Sequence, residues 1–197
     1  MRVKYFFVLS LVLLAASCSN TKLTTSWLEE ERNKQYHHPM IIGVSDSQQT
    51  RQMYEKHFAS ELGKQNITAT PSYKLISSKQ KMNRETVVNA INGTEIDSVI
   101  ITYLVSSESE VRHHESPLSQ GYSSDADNKV SATMIATRGR TSSSEIITLK
   151  NDLYDADDKT LIWTAQTRSV APESIDEVVI EVTALLIDQL IDDGVLK

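Results

Sequence analysis

Two runs in the chain, residues 40–44 (Met40-Ile41-Ile42-Gly43-Val44) and residues 98–105, are almost continuously apolar. A strand with one wet face alternates apolar and polar residues, whereas a run apolar throughout belongs to a strand covered on both faces. Two such strands call for helices above and below one sheet, which points to the α/β class. Helical spacing lies between them. After Gln49, the residues Met53, Tyr54, Phe58 and Leu62 share one face with charges opposite, and Gly63 supplies a stop signal. Residues 67–75 alternate weakly around Pro71, as an edge or bulged strand would. Asn83 can cap a helix through Val87, Val88 and Ile91 that Asn92-Gly93 ends. The succession is strand–helix–strand–helix–strand, the order of a parallel sheet with right-handed crossovers.

The second half reads differently. Val130, Ala132, Met134 and Ala136 alternate with polar neighbours. Residues 146–154 and 160–167 flank Asp155-Ala156-Asp157-Asp158-Lys159 and predict a hairpin with a solvated loop, Trp163 being its core residue. Ser174-x-x-Glu177 predicts a capping box opening a helix to about Asp192, closed by Gly194. Residues 106–128 and 138–144 read as a long polar loop and a flexible hairpin tip. The expected fold is therefore mixed α/β. A βαβαβ parallel half, antiparallel hairpin strands and a C-terminal helix share one sheet in a single domain over residues 39–197.

The N-terminus sets the expected location. Arg2 and Lys4 precede an apolar run over residues 5–14, followed by Ala15, Ala16, Ser17 and then Cys18, the sole cysteine. A basic flank, a short apolar stretch and small residues make a cleavable secretory signal over residues 1–17. The run is shorter than the roughly 20 apolar residues a spanning helix needs. Leu14-Ala15-Ala16-Ser17-Cys18 resembles the lipobox of bacterial lipoproteins, departing from it in having Ala15 where leucine is commonest. The resemblance implies cleavage before Cys18, a diacylglycerol on its thiol and an acylated amine. Ser19 in place of aspartate implies outer-membrane sorting with the domain facing the periplasm. An ordinary secretory signal with an incidental cysteine is the competing reading. Residues 18–38 are polar, carry Glu29-Glu30-Glu31 and Trp27, and read as a lipidated tether.

Removing residues 1–17 takes Arg2 and Lys4 from the 20 basic residues, leaving 18 against 26 acidic ones and a formal charge of −8. An acidic domain without a basic cluster repels phosphate backbones, which argues against nucleic acid as a partner. No phosphate-binding Gly-x-x-x-x-Gly-Lys loop, dinucleotide fingerprint or Gly-x-Ser-x-Gly elbow is present. His37-His38 and His113-His114 are the candidate metal ligands, on the premise that the two loops meet. Against this, adjacent residues point oppositely on an extended chain. His57 beside Phe58 reads as a structural histidine, and Arg138 and Arg140 as solubilising charges. The Asp155–Asp158 stretch lacks the glycine and terminal glutamate of a calcium loop, having Thr160 and Gln166 there.

Three short stretches carry a further resemblance: Gly43-Val44-Ser45 followed by Arg51 and Glu55; Pro71-Ser72-Tyr73; and Asp152-Leu153-Tyr154-Asp155 leading to Leu161-Ile162-Trp163. Together they resemble small uncharacterised envelope lipoproteins of Gram-negative bacteria, whose α/β domain is similar in layout to the TolB amino-terminal domain and the curli-secretion lipoprotein. The resemblance implies a fold and a location but transfers no catalytic residue. The expectation is a non-catalytic interaction or assembly module, held by lipid at the outer membrane, without a cofactor and with an envelope protein as partner. The alternative is a lipoprotein binding metal or a small ligand through its histidine-rich loops.

Overall fold

The computed structural model describes residues 20–29, 34–114, 119–124, 130–135 and 140–197. Among the described residues eight strands and three helices form in the order β1 (Thr21–Leu28), β2 (Pro39–Gly43), α1 (Gln48–Lys64), β3 (Thr70–Pro71), α2 (Arg84–Ile91), β4 (Ser98–His114), β5 (Ser119–Ser124), β6 (Val130–Ile135), β7 (Arg140–Asp155), β8 (Leu161–Val170) and α3 (Ile175–Asp192). Six of the strands make one mixed sheet in the order β1-β8-β7-β4-β2-β3, and β5 pairs with β6 separately. β2 lies parallel to β3 on one side and β4 on the other, while the β4–β7, β7–β8 and β8–β1 pairs are antiparallel. The mixed α/β fold expected from the apolar runs is the one observed.

All five residues of β2 are buried because each face of the strand meets its own helical layer. Ile41, Ile100, Leu153, Trp163 and Leu28 stand in one cross-strand row. This row packs against Phe58 and Leu62 of α1 and Val182, Leu186 and Leu190 of α3. The intervening positions Met40, Ile42 and Val99 face the other way and pack with Ile91 of α2. Trp163 is fully buried, and its indole N–H donates to Asp193 Oδ2 at 2.8 Å, so its one polar atom is satisfied at the end of α3. Ser47, Asn83 and Ser174 cap the three helices, each side-chain oxygen accepting a first-turn amide. Gly194 closes α3 in the left-handed region at φ 70°. α1 runs past Gly63 to Lys64, and the left-handed residue that turns the chain is Asn66.

Four expectations are corrected. Within the stretch read as a tether, residues 21–28 form β1 and pair with β8 along their whole length. Residues 34–38 are likewise fixed. Tyr36 is fully buried, its hydroxyl donates to Asp155 Oδ2 at 2.9 Å, and its backbone bonds Val195 and Lys197. The stretch read as a long loop continues β4 to His114 and supplies β5, and the stretch read as a hairpin tip begins β7 at Arg140. The strand expected over residues 67–75 shortens to Thr70–Pro71, because Ser72 turns into a 3₁₀ turn. Polar residues hid β1 and the outer part of β4. A strand wet on both faces, or one at a sheet edge, has no apolar alternation to reveal it.

The fourth correction concerns the acidic loop, whose first residue is buried. Asp155 Oδ1 accepts the amides of Asp157 and Asp158, and Oδ2 accepts Lys34 Nζ at 2.8 Å besides Tyr36. Burial alone would raise this carboxyl. The Lys34 ammonium, the two amides and the Tyr36 hydroxyl outweigh it and hold the group below the ordinary carboxylate range.

Beyond residue 108 the strands β4 and β7 continue as a two-stranded ribbon. β8 pairs with β7 only from Ile146 onward, and β2 pairs with β4 only as far as Thr102. Ser109 faces Glu145 and His114 faces Arg140 along this ribbon.

Two outcomes are expected of these contacts. A group with a depressed carboxyl stabilises the fold above its unfolded value, near pH 4, and loses that contribution as pH falls through the folded value. Asp155→Asn should therefore cost about 1–3 kcal/mol at pH 7, and its melting temperature should converge on the parent's below about pH 4; circular-dichroism melts across pH check both. At Gly43 an added Cβ would stand 2.9 Å from Tyr54 Cδ1, inside a closed interface. Gly43→Ala should destabilise by roughly 1–3 kcal/mol in a denaturant titration.

Candidate functional site

The order β3-β2-β4 makes a topological switch point. The chain leaves β2 for β3 on one side by way of α1 and returns to β4 on the other by way of α2. In open α/β sheets, ligands settle outside the carboxyl ends of the strands at such a point. Here those ends carry Gly43, Val44 and Ser45 after β2, and Thr102, Tyr103 and Leu104 on β4.

A buried carboxylate organises the floor of this place. Glu55, one turn after Arg51 on α1, has no solvent exposure. Its Oε1 accepts Arg51 Nε at 2.8 Å, the Ser72 hydroxyl at 2.7 Å and the Gly43 amide at 3.1 Å, and its Oε2 accepts the Tyr73 amide at 2.9 Å. Arg51 Nη2 also donates to Ser72 Oγ at 2.6 Å. The end of β2, the first turns of α1 and the turn after β3 are thus tied to one anion. Gly43, Arg51, Glu55, Ser72 and Tyr73 are the residues on which the resemblance was noted, and sequence alone did not indicate that they converge. The usable signal was an arginine one helical turn before a glutamate on a helix otherwise read as apolar on that side. Ser72 is fully buried and already bonded on both sides, so its hydroxyl holds the floor together and does not face a substrate.

Beside it runs a second polar chain. Tyr54 donates to Thr102 Oγ1 at 2.6 Å, Thr102 donates to Asn151 Oδ1 at 2.8 Å, and Asn151 Nδ2 donates to the Ala165 carbonyl at 3.3 Å. Burial pushes the Tyr54 phenol above its ordinary value, which keeps it a donor. Above this floor lies an open groove of about 260 Å³ bordered by Val44, Leu104, Ile147 and Ile175, with Ser107 donating to Glu145 at 2.9 Å on its rim. A second groove of about 420 Å³ lies on the α2 side, between Met82, Val87 and Val88 and the sheet residues Ile42, Val99 and Ile101.

The candidate ligands do not assemble. His37 Nδ1 lies 2.7 Å from the Lys197 carbonyl, His38 Nε2 lies 2.9 Å from Thr70 Oγ1, and both backbone amides donate to Asp97. This pair precedes β2 at one end of the sheet, whereas His113 and His114 end the 17-residue β4 at the other. At ~3.3 Å per residue, the two pairs stand roughly 50 Å apart. In this arrangement the backbones of the two pairs do not come together. Among the described residues no cluster of three or more histidine, cysteine, aspartate or glutamate side chains is disposed to hold a metal. His57 Nδ1 lies 4.0 Å from Glu61 Oε1, a helical pair on the surface of α1. Arg140 faces His114 across the ribbon. Cys18 and Arg138 lie outside the described residues.

No protein-family profile matches the chain, and no curated protein does. Among solved structures, the PelC dodecamer from Paraburkholderia phytofirmans aligns with 90% of this chain and 97% of its own, at 9% identity and a TM-score of 0.45. Lipoprotein GNA1162 from Neisseria meningitidis aligns with 79% of this chain and 98% of its own, at 10% identity and a TM-score of 0.40. Structural neighbours thus include a lipoprotein, at a level of likeness from which no role passes to this chain. Among the described residues no helix is long and apolar enough to cross a membrane.

The Glu55 cluster makes a quantitative expectation. Glu55→Gln places an amide N–H among donors and should cost about 2–4 kcal/mol, and Arg51→Met alone should cost a similar amount by leaving the carboxylate without its cation. In the double variant the losses should fall short of additivity by at least about 1 kcal/mol. Chemical denaturation of the four proteins measures this directly.

Proposed function

We propose that this protein is a lipoprotein of the cell envelope, acylated at Cys18 and held at the outer membrane facing the periplasm, where it serves as a non-catalytic assembly module. The ribbon formed by the outer parts of β4 and β7 is the observation that carries this reading. Residues 109–114 pair only with β7 and residues 140–144 only with β4 in the described sheet. A two-stranded ribbon in water is marginal by itself, and its outer edges offer rows of backbone donors and acceptors. Such an edge suits addition of a strand from another protein, with main-chain hydrogen bonds giving affinity. The lipobox-like Leu14-Ala15-Ala16-Ser17-Cys18 supports the envelope location, and the saturation of Ser72 and Glu55 by internal partners supports a structural floor over a catalytic one.

Replacing residues 110–144 by Asn-Gly joins the paired Ser109 and Glu145 through a two-residue hairpin turn and leaves the sheet intact. The shortened protein should melt within a few degrees of the parent. With a photo-crosslinking residue at position 108 in both proteins, the full chain should give a discrete adduct with an envelope protein in cells, and the shortened chain none. An identical adduct from both, or none from the full chain, refutes the module.

A further inference from the structure

We propose that the groove between α2 and the sheet binds a small amphipathic carboxylate, with its apolar body against Ile42, Val87, Val88 and Ile101 and its carboxylate on Arg84. The proposal stands apart from the lipoprotein reading, since none of the groove's walls belongs to β1 or to the outer ribbon of β4 and β7.

The groove exists because α2 is too short and too loosely seated to cover its share of the sheet. It has eight residues, about 12 Å of helix. Ile91 is buried, but Val87 and Val88 of α2 and Ile101 of β4 stay half-buried around a space of about 420 Å³. Protein interiors are packed to crystal density, and apolar walls held apart forfeit contacts that a fitting molecule restores. Apolar hollows of about 300–1,000 Å³ with a few polar groups are the usual seats of small ligands.

The charges on its border select the occupant. Although the chain is acidic as a whole, residues 65–84 carry Lys74, Lys79, Lys81 and Arg84 and no acidic side chain. Arg84 borders the groove and is exposed, and among the described residues its guanidinium has no hydrogen-bond or ion-pair partner. Its neighbour Glu85 borders a different hollow on the other side of α2. Lys159 Nζ, also on the border, donates to the Ala156 and Asp157 carbonyls and has no ion pair among the described residues. Asp155, the carboxylate in the wall, already takes Lys34, Tyr36 and two amides. Burial holds the Tyr154 phenol above its ordinary value, so it stays a donor on the same border. An apolar space so bordered is complementary to an apolar molecule that ends in an anion. A lone guanidinium matches a planar carboxylate through two parallel hydrogen bonds. Residues 92–97 alone join the end of α2 to the start of β4. Arg84 therefore stands toward the carboxyl end of β2, where Val44 borders the same groove, and the anion sits at the switch point.

The test uses residues 18–197 with Cys18→Ser, which keeps every described residue and brings no lipid of its own. Decanoate, added below its micellar concentration, should bind saturably at a single site in calorimetry. Decyltrimethylammonium, with the same body and the opposite charge, and acetate, with the head alone, should bind at least about tenfold more weakly. Amide shifts in nuclear magnetic resonance should fall on Val87, Val88 and Ile101. Arg84→Gln removes an exposed charge without an internal partner, so it should melt with the parent while weakening decanoate binding roughly tenfold or more. Val88→Trp, which fills the space, should abolish binding. The proposal is overturned by any of four results: no saturable binding, equal binding of the ammonium, undiminished affinity in the folded Arg84→Gln protein, or shifts at Leu104 and Ile147 in the other groove. None of these bears on the envelope adduct of the ribbon, which stands or falls separately.

Discussion

A carboxylate withdrawn from water dictates how the parallel half of this domain closes. Glu55 would be costly to bury alone, and the fold accommodates it by bringing a guanidinium, a hydroxyl and two amides to its oxygens. Those four donors come from three pieces of chain, and so the end of β2, the first turns of α1 and the turn after β3 are fixed relative to one another. The adjacent Tyr54–Thr102–Asn151 chain extends the same order across β4 and β7. The switch point is therefore rigid beneath its groove.

Legibility followed burial. Residues 40–43 announced a strand enclosed on both faces, and the spacing of Tyr54, Phe58 and Leu62 gave α1 its core face, because all of these buried positions but Gly43 carry apolar side chains; the buried Glu55 on the same helix was the exception. Asn83 and Ser174 announced helix starts, because an orphan amide needs an acceptor nearby. Strands that bury little were hidden. In β1 only Thr21 is buried, and the pairing is carried by backbone groups that every residue possesses. The Asp155 loop misled for a related reason: a run of aspartates looks solvated, and only the distant Lys34 and Tyr36 make its first member a buried anchor. Of the candidate site, the individual residues Gly43, Arg51, Glu55 and Ser72 were visible, but their meeting depends on contacts across the β2–α1–β3 unit that no local pattern encodes.

The two ends of the sheet have separate duties. At the end where β2 starts, Asp97 gathers the amides of His37 and His38, Tyr36 lies buried, and the C-terminal Val195 and Leu196 complete the core. That end is closed by internal contacts. The opposite end carries the 260 Å³ groove with Val44, Leu104 and Ile175 on its border, the start of β1 and the departure of the β4–β7 ribbon.

Because β1 is an edge strand whose first residue sits next to the point of entry, any pull transmitted through the N-terminus acts along the strand axis. The register from Thr21 to Leu28 against β8 is then loaded in shear, with its backbone bonds sharing the force, and not peeled apart one bond at a time. Loaded in that way, the β1–β8 pairing resists separation through its backbone hydrogen bonds alone.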